Sequence, residues 1–221
     1  MARIADPELR NRLIAAATQE FAAAGYAGAT LDGIAARAGV TKGGVYFHFA
    51  GKEELFFAVL DHWRERRRRA LVVPVPGRSG AGSALREFLA AYLSFHFGEP
   101  AATQLLRVLA TELRGRFTAR LREDDRQEQR WLRASLRELL VFGVRDGSLA
   151  VEDPARAAFV LAAGVRGVLD QWITAPGDVE MHCDPRQIAQ VLVVPFTIAA
   201  SGPRSEIEPD EFDLPGGNRR G

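Results

Sequence analysis

Residues 21–60 read FAAAGYAGATLDGIAARAGVTKGGVYFHFAGKEELFFAVL, and this stretch decides the fold. Gly25 stops whatever helix precedes it. Thr30 stands where its hydroxyl can accept an orphan N–H at the start of a new helix. Leu31, Ile34, Ala35 and Ala38 then fall at i, i+3, i+4 and i+7, the stripe of a short amphipathic helix. Gly39 permits a tight turn, and Val40 is placed to plug the angle between two helices. Thr41 caps a second short helix, 42–48, whose Val45 and following Phe49 face inward. Two capped helices joined by a glycine-containing turn form a helix-turn-helix.

Working outward, residues 7–24 form a first helix. Pro7 is tolerated in the opening turn, and Leu9, Leu13, Ala17 and Phe21 repeat every four residues. Downstream, a helix opens near Lys52 and runs to about residue 71, before Pro74 and Pro76. Residues 74–82 read as a loop. Helical stretches follow near 83–97, 101–113, 117–146, 154–175 and 184–200, parted by Gly98-Glu99-Pro100, Gly147, Asp153-Pro154 and Pro176-Gly177. No alternating strand pattern of useful length interrupts them. The expectation is an all-α chain: a three-helix helix-turn-helix domain over 1–55, a larger helical domain over 56–200, and a disordered tail over 201–221.

Composition narrows the function. The 221 residues are 47% hydrophobic and 26% charged, ordinary for a folded domain with a sizeable core. One cysteine excludes a disulfide scaffold and a multi-thiolate zinc site. The first apolar stretch is broken by Asp6, Glu8, Arg10 and Arg12, unlike a signal peptide. The longest apolar run, Val191 to Ala200, is half a membrane span and contains Pro195. A soluble, cytoplasmic protein without a membrane partner is expected. The net charge of +1 hides an asymmetry: residues 1–73 carry +3, residues 74–200 carry 0 and residues 201–221 carry −2. A basic front on a neutral body fits a DNA-reading module joined to a partner-binding domain. Histidines at 48, 62, 96 and 182 fall in no catalytic or metal-binding motif, so no enzyme, cofactor or metal site is expected.

The combination Phe-x-x-x-Gly-Tyr, Ile-Ala-x-x-Ala-Gly-Val, Tyr-Phe-His-Phe and Lys-Glu-x-Leu within residues 21–60 resembles the amino-terminal domain of TetR-family transcriptional regulators. In a helix-turn-helix the second helix enters the major groove by its amino-terminal residues. Here those are Thr41, Lys42, Gly43 and Gly44, with Lys42 able to reach a guanine edge or a phosphate. The two glycines let the backbone approach closely. The resemblance implies phosphate hydrogen bonds from Tyr46 and His48, and packing of Phe47 on sugars or a thymine methyl. Lys52 and Thr30, each at the start of a helix, are further phosphate candidates. Asp32, Gly33 and Gly44 stand where longer donors read bases in other family members, which weights affinity towards phosphates and DNA shape. The run Arg64 to Arg69 begins too far along its helix to join them, because Arg67 lies about 22 Å from Lys52 at 1.5 Å per residue. It reads as a solvated face.

The resemblance also implies a small-molecule pocket and a homodimer on a palindromic operator. Pairing has its own physical case, since one short recognition helix covers too few base pairs for operator specificity. The last two helices are the expected seam. Candidates for the effector site are Phe88, Tyr92, Phe95, Leu109, Trp131 and Phe159, with His96, Glu112 and Arg166 as polar groups. The function expected is a repressor released by a hydrophobic or amphipathic effector. The alternative is a constitutive DNA-binding regulator or scaffold with none.

Overall fold

A computed structural model describes residues 7–77, 80–113, 118–174 and 184–197. They form α1 (Pro7–Gly28), α2 (Leu31–Ala38), α3 (Lys42–His48), α4 (Lys52–Ala70), α5 (Gly80–Gly98), α6 (Pro100–Thr111), α7 (Thr118–Arg145), α8 (Pro154–Thr174) and α9 (Pro185–Val193), followed by a 3₁₀ turn at Val194–Phe196. The fold is all-α. Among the described residues the one β-type pairing is an isolated bridge, Leu149 to Thr197. No described helix is long and apolar enough to cross a membrane. The expected tail, 201–221, lies outside the described residues.

Helix α1 packs against α2, α4 and α6, with Leu13, Ile14, Ala17 and Phe21 on its buried face. Phe21, Tyr26 and Phe56 meet as an aromatic triad, with ring centroids 5.0–5.9 Å apart. This first core is completed by Ile34, Val45, Phe49, Leu55 and Leu60, and also by Leu105, Val108 and Leu113 from α6 and its exit. Helix α6 therefore reaches out of the larger helical body into the helix-turn-helix core. The second core joins α5, α7, α8 and α9 through Leu85, Leu89, Leu136, Leu140, Leu161 and Val193.

Two boundaries differ from expectation. Helix α5 starts at Gly80, inside the expected loop 74–82, because its free N–H groups are capped from across the chain. The Asp146 carboxylate accepts from the Ala81 N–H at 2.7 Å, and the Ser148 hydroxyl accepts from the Gly82 N–H at 3.1 Å. Hydrogen bonds to it from the Ser148 side chain, the Ala81 N–H and the Ser148 N–H hold the Asp146 carboxyl below its ordinary pKa. At the other end α9 stops at Val193, short of residue 200. Pro195 has no N–H to continue the ladder, and a tighter turn forms instead.

Candidate nucleic-acid interface and inner polar cluster

The helix-turn-helix is built by its caps. Thr30 Oγ1 accepts from the Gly33 N–H at 3.0 Å, and Thr41 Oγ1 from the Gly44 N–H at 3.3 Å. Between them Gly39 adopts the left-handed conformation (φ 67°), and the Val40 N–H returns to the Ala35 carbonyl at 3.0 Å. Val45 and Phe49 pin α3 to the core. The opposite face stays open: Tyr46 is 51% and Phe47 49% exposed, with Thr41, Lys42 and Gly43 beside them. A methyl group on Gly43 would meet nothing outside its own turn but the Thr41 hydroxyl, so bare backbone fronts this surface. The result is a helix end carrying two exposed rings, an ammonium and no bulk at its tip.

The cations are placed differently from expectation. Lys42 donates to Asp32 Oδ2 at 2.8 Å, and this hydrogen bond raises the Lys42 pKa. The pair is open to solvent and screened by it, so a phosphate can displace Asp32 readily. Lys52 turns inward. Its ammonium donates to the carbonyls of Tyr26 at 2.9 Å and Ala29 at 3.1 Å, lies 3.4 Å from that of Ala27, and sits 4.7 Å above the Tyr26 ring. It ties the start of α4 to the exit of α1 and has no donor left for a phosphate. His48 Nε2 is buried without a hydrogen-bond partner, and its ring lies against Phe47 and Phe49. A phosphate bond through that nitrogen is therefore not formed by this geometry. Arg10, which no local sequence signal marks, stacks its guanidinium 5.3 Å from the Phe49 ring at the exit of α3.

Comparison with known proteins agrees with this geometry. The profile of the bacterial regulatory proteins of the tetR family matches residues 13–59. The transcriptional repressor SCO4008 of Streptomyces coelicolor is 34% identical over 143 residues, 64% of this chain and 66% of that protein. The chain belongs to the TetR family. SrpR of Pseudomonas putida, an HTH-type transcriptional regulator, is 57% identical over 53 residues, but that match covers only 24% of this chain and 25% of SrpR. For the fold, a complex of Stenotrophomonas maltophilia SmeT with triclosan superposes with a TM-score of 0.68 at 23% identity, covering 91% of this chain and 98% of that one. The likeness is to transcription regulators and not to enzymes.

In this TetR-family chain the larger body holds a second polar site. Phe88 and Trp131 lie 6.1 Å apart and Tyr92 and His96 4.9 Å apart, with Phe95 edge-on to His96 at 5.6 Å. Thr103 Oγ1 donates to the His96 carbonyl at 2.7 Å and lies 3.4 Å from His96 Nδ1. The hydroxyl proton is thus engaged, so the imidazole proton belongs on Nδ1 and leaves Nε2 a bare acceptor, buried and without a partner. Burial, with the charge of Arg67 added, pushes the His96 pKa down to about 3. Tyr92 is held above its ordinary pKa by burial. Both are neutral at physiological pH.

Three expected members lie elsewhere. Leu109 packs on the helix-turn-helix core. Phe159 is exposed on α8. Glu112 reaches from the exit of α6 to the end of α1, where its Oε2 accepts from the Ala27 N–H at 3.1 Å. Arg166 is exposed but acts on the Tyr92 hydroxyl through its charge.

The solvated-face reading of the arginine run is corrected at Arg67, which is 6% exposed. Its guanidinium lies 5.8 Å from both the Tyr92 and the Trp131 ring and pairs with Glu128 of α7. The signal was in the register: Phe56, Leu60, Trp63, Arg67 and Leu71 share one face of α4, and Arg67 takes an inward position of that stripe. Arg66 stacks on Trp63 and pairs with Glu99 at the start of α6. Arg120 of α7 sits 3.8 Å from the Phe57 ring centroid. Helix α4 is thus tied to the larger body by its arginine side chains and by stacked rings.

Proposed function

We propose that the chain is a homodimeric transcriptional regulator, a cytoplasmic repressor that binds a palindromic operator through the exposed face of α3 and is released by a small hydrophobic or amphipathic effector. The observation that carries this reading is that face: Tyr46 and Phe47 stand half exposed above bare glycine backbone, on a helix whose other side is locked into the core. Exposing two aromatic rings side by side costs apolar hydration unless a partner covers them. The groups proposed to meet DNA are Thr30, Thr41, Lys42, Gly43, Gly44, Tyr46 and Phe47, with Arg10 as an added phosphate contact. Lys52 acts by holding α4 in register with α1. Since few long donors project from α3, affinity is weighted towards phosphates and groove shape.

Pairing through α8 and α9 is supported by Phe159, Val160, Val191 and Val194, each more than half exposed on these two helices or on the 3₁₀ turn that follows α9. The two helices also pack closely against each other, since a methyl group on Gly164 would come within 2.9 Å of Leu192. A two-fold pair would set two α3 helices on successive major grooves, about 34–36 Å apart. The cluster of Phe88, Tyr92, Phe95, His96, Trp131 and Arg67 is the proposed effector site, and α4 the lever. It starts beside α3 and carries Arg67 in its last turn. A coupling of about 1–3 kcal/mol between the two sites would lower operator affinity roughly 5- to 150-fold.

Titration of the protein into a duplex from upstream of its own gene, at two salt concentrations, tests the reading. Affinity about a thousandfold above a scrambled duplex, falling steeply with salt, is expected. Weak and equal binding to both duplexes would overturn it.

A further inference from the structure

We propose that the effector is an amphipathic monocarboxylate, and that its carboxylate binds by exchanging with Glu128 on the buried guanidinium of Arg67. The inference rests on the reading of the larger body as an effector-binding domain and adds the chemical class of the ligand and the way it enters.

The Arg67 side chain is 7% exposed, and an arginine offers five N–H donors in a planar fork. Among the described residues, Glu128 supplies the carboxylate that faces it. Arg67 Nε, Glu128 Oε1 and His96 Nε2 are all buried without a hydrogen-bond partner. A buried ion pair normally offsets its desolvation only when these remaining positions are satisfied. The cluster is therefore built with polar capacity to spare, against an apolar floor made by Phe88, Tyr92 and Trp131.

Charge decides which ligand fits. Arg67 and Glu128 cancel, and His96 and Tyr92 are neutral, so the site as it stands has no net charge to offer. Adding an anion would leave a buried negative charge uncompensated. Replacing Glu128 by another carboxylate keeps the sum unchanged and lets the newcomer make the paired, bidentate bonds that arginine favours. Glu128 is the partner free to leave: its side chain is twice as exposed as that of Arg67, 14% against 7%. A cationic ligand would instead have to expel Arg67, which is held between two aromatic rings. His96 Nε2 remains as an acceptor for a hydroxyl on the ligand.

The exchange has a mechanical result. The Arg67–Glu128 pair joins α4 to α7, so a ligand that takes Glu128's place cuts that tie at the end of the lever.

The test uses the full-length protein, with binding followed by calorimetry and DNA release by fluorescence anisotropy. The probes are octanoate and decanoate, with the alcohols and alkyltrimethylammonium ions of the same chain length. The carboxylates are expected to bind at least tenfold more tightly than either counterpart. Glu128→Gln, which removes the competing charge, is expected to tighten carboxylate binding by a further tenfold. The double variant Arg67→Met with Glu128→Leu removes the pair as a unit, so that no charge is left buried. It is expected to stay folded and to bind acid and alcohol within threefold of each other. An alcohol or ammonium probe that binds as tightly as the acid and releases DNA would overturn the carboxylate proposal while leaving an effector site in place. A carboxylate preference that survives in the double variant would also overturn it. If no probe binds the wild-type protein or Glu128→Gln, both this proposal and the effector reading beneath it fall.

Discussion

Replacing Gly25 by alanine probes the joint between the helix-turn-helix and the larger body. Gly25 has φ 71° and ψ 177°, a combination that residues with a Cβ adopt at a cost of about 1–3 kcal/mol. The added methyl would also land 2.1 Å from Glu112 Oε1, in the space the carboxylate occupies. Glu112 would swing away and release the Ala27 N–H, a hydrogen bond worth about 1 kcal/mol in this open setting. The two losses give about 2–4 kcal/mol for Gly25→Ala, or roughly 4–16 °C in Tm for a chain of this size. A double-mutant cycle separates them. In a Glu112→Ala background only the backbone strain remains, so Gly25→Ala should cost about 1 kcal/mol less than in the wild type. Urea unfolding followed by far-ultraviolet circular dichroism reads both numbers. An equal cost in the two backgrounds would show that Glu112 does not close this joint. A cost under about 0.5 kcal/mol in the wild type would refute the backbone argument as well.

Three further outcomes are expected. Lys52→Met leaves the carbonyls of Tyr26 and Ala29 without their charged donor and should cost about 2–3 kcal/mol in urea unfolding, while an equal substitution at the exposed Lys42 should cost distinctly less. Arg67→Met alone strands the Glu128 carboxylate and should cost about 3–5 kcal/mol, whereas joint replacement with Glu128→Leu should be near neutral by the same measurement. His96 has a folded pKa of about 3 against 6.5 in the unfolded chain. Below pH 6.5 the unfolded state therefore takes up the proton first. The His96 contribution is complete above pH 6.5 and is lost as pH falls towards 3, at about 1.4 kcal/mol per unit. His96→Gln should accordingly flatten the decline in urea stability between pH 6.5 and pH 4.5 by about 2–3 kcal/mol.

The helix-turn-helix was legible because its determinants are local. Thr30, Gly39 and Thr41 act on neighbours within five residues, and the inward stripe of α2 is a matter of spacing alone. What stayed hidden depends on partners far along the chain. Asp146 and Ser148 cap α5 from more than 60 residues away, which is why its start was placed too late. A lysine that opens a helix looks free for a phosphate until distant carbonyls fold back onto it, as those of Tyr26 and Ala29 do onto Lys52. Glu112 looked like a polar member of an apolar helix, yet it serves the end of α1. Arg67 was hidden by its neighbours in sequence: inside a run of four arginines one side chain turned inward is masked by three that are exposed. Only the register of α4 tells them apart. In the larger body, the sequence offers the aromatic residues but not which faces of α5 and α7 bring Phe88, Tyr92 and Trp131 together.

The proposed regulator depends on α3 as the element that reads DNA. Selection of duplexes from a random pool by the full-length protein, with Tyr46→Ala and Phe47→Ala run in parallel, tests this most directly. Both rings are half exposed and outside the core, so the variants should unfold within about 0.5 kcal/mol of the wild type. The wild type is predicted to enrich a two-fold-symmetric sequence with half-sites about one helical turn apart, or a multiple of it, and each variant to lose most of that enrichment. Enrichment of the same sequence by folded variants that lack these rings would contradict the assignment of α3 as the DNA-reading helix.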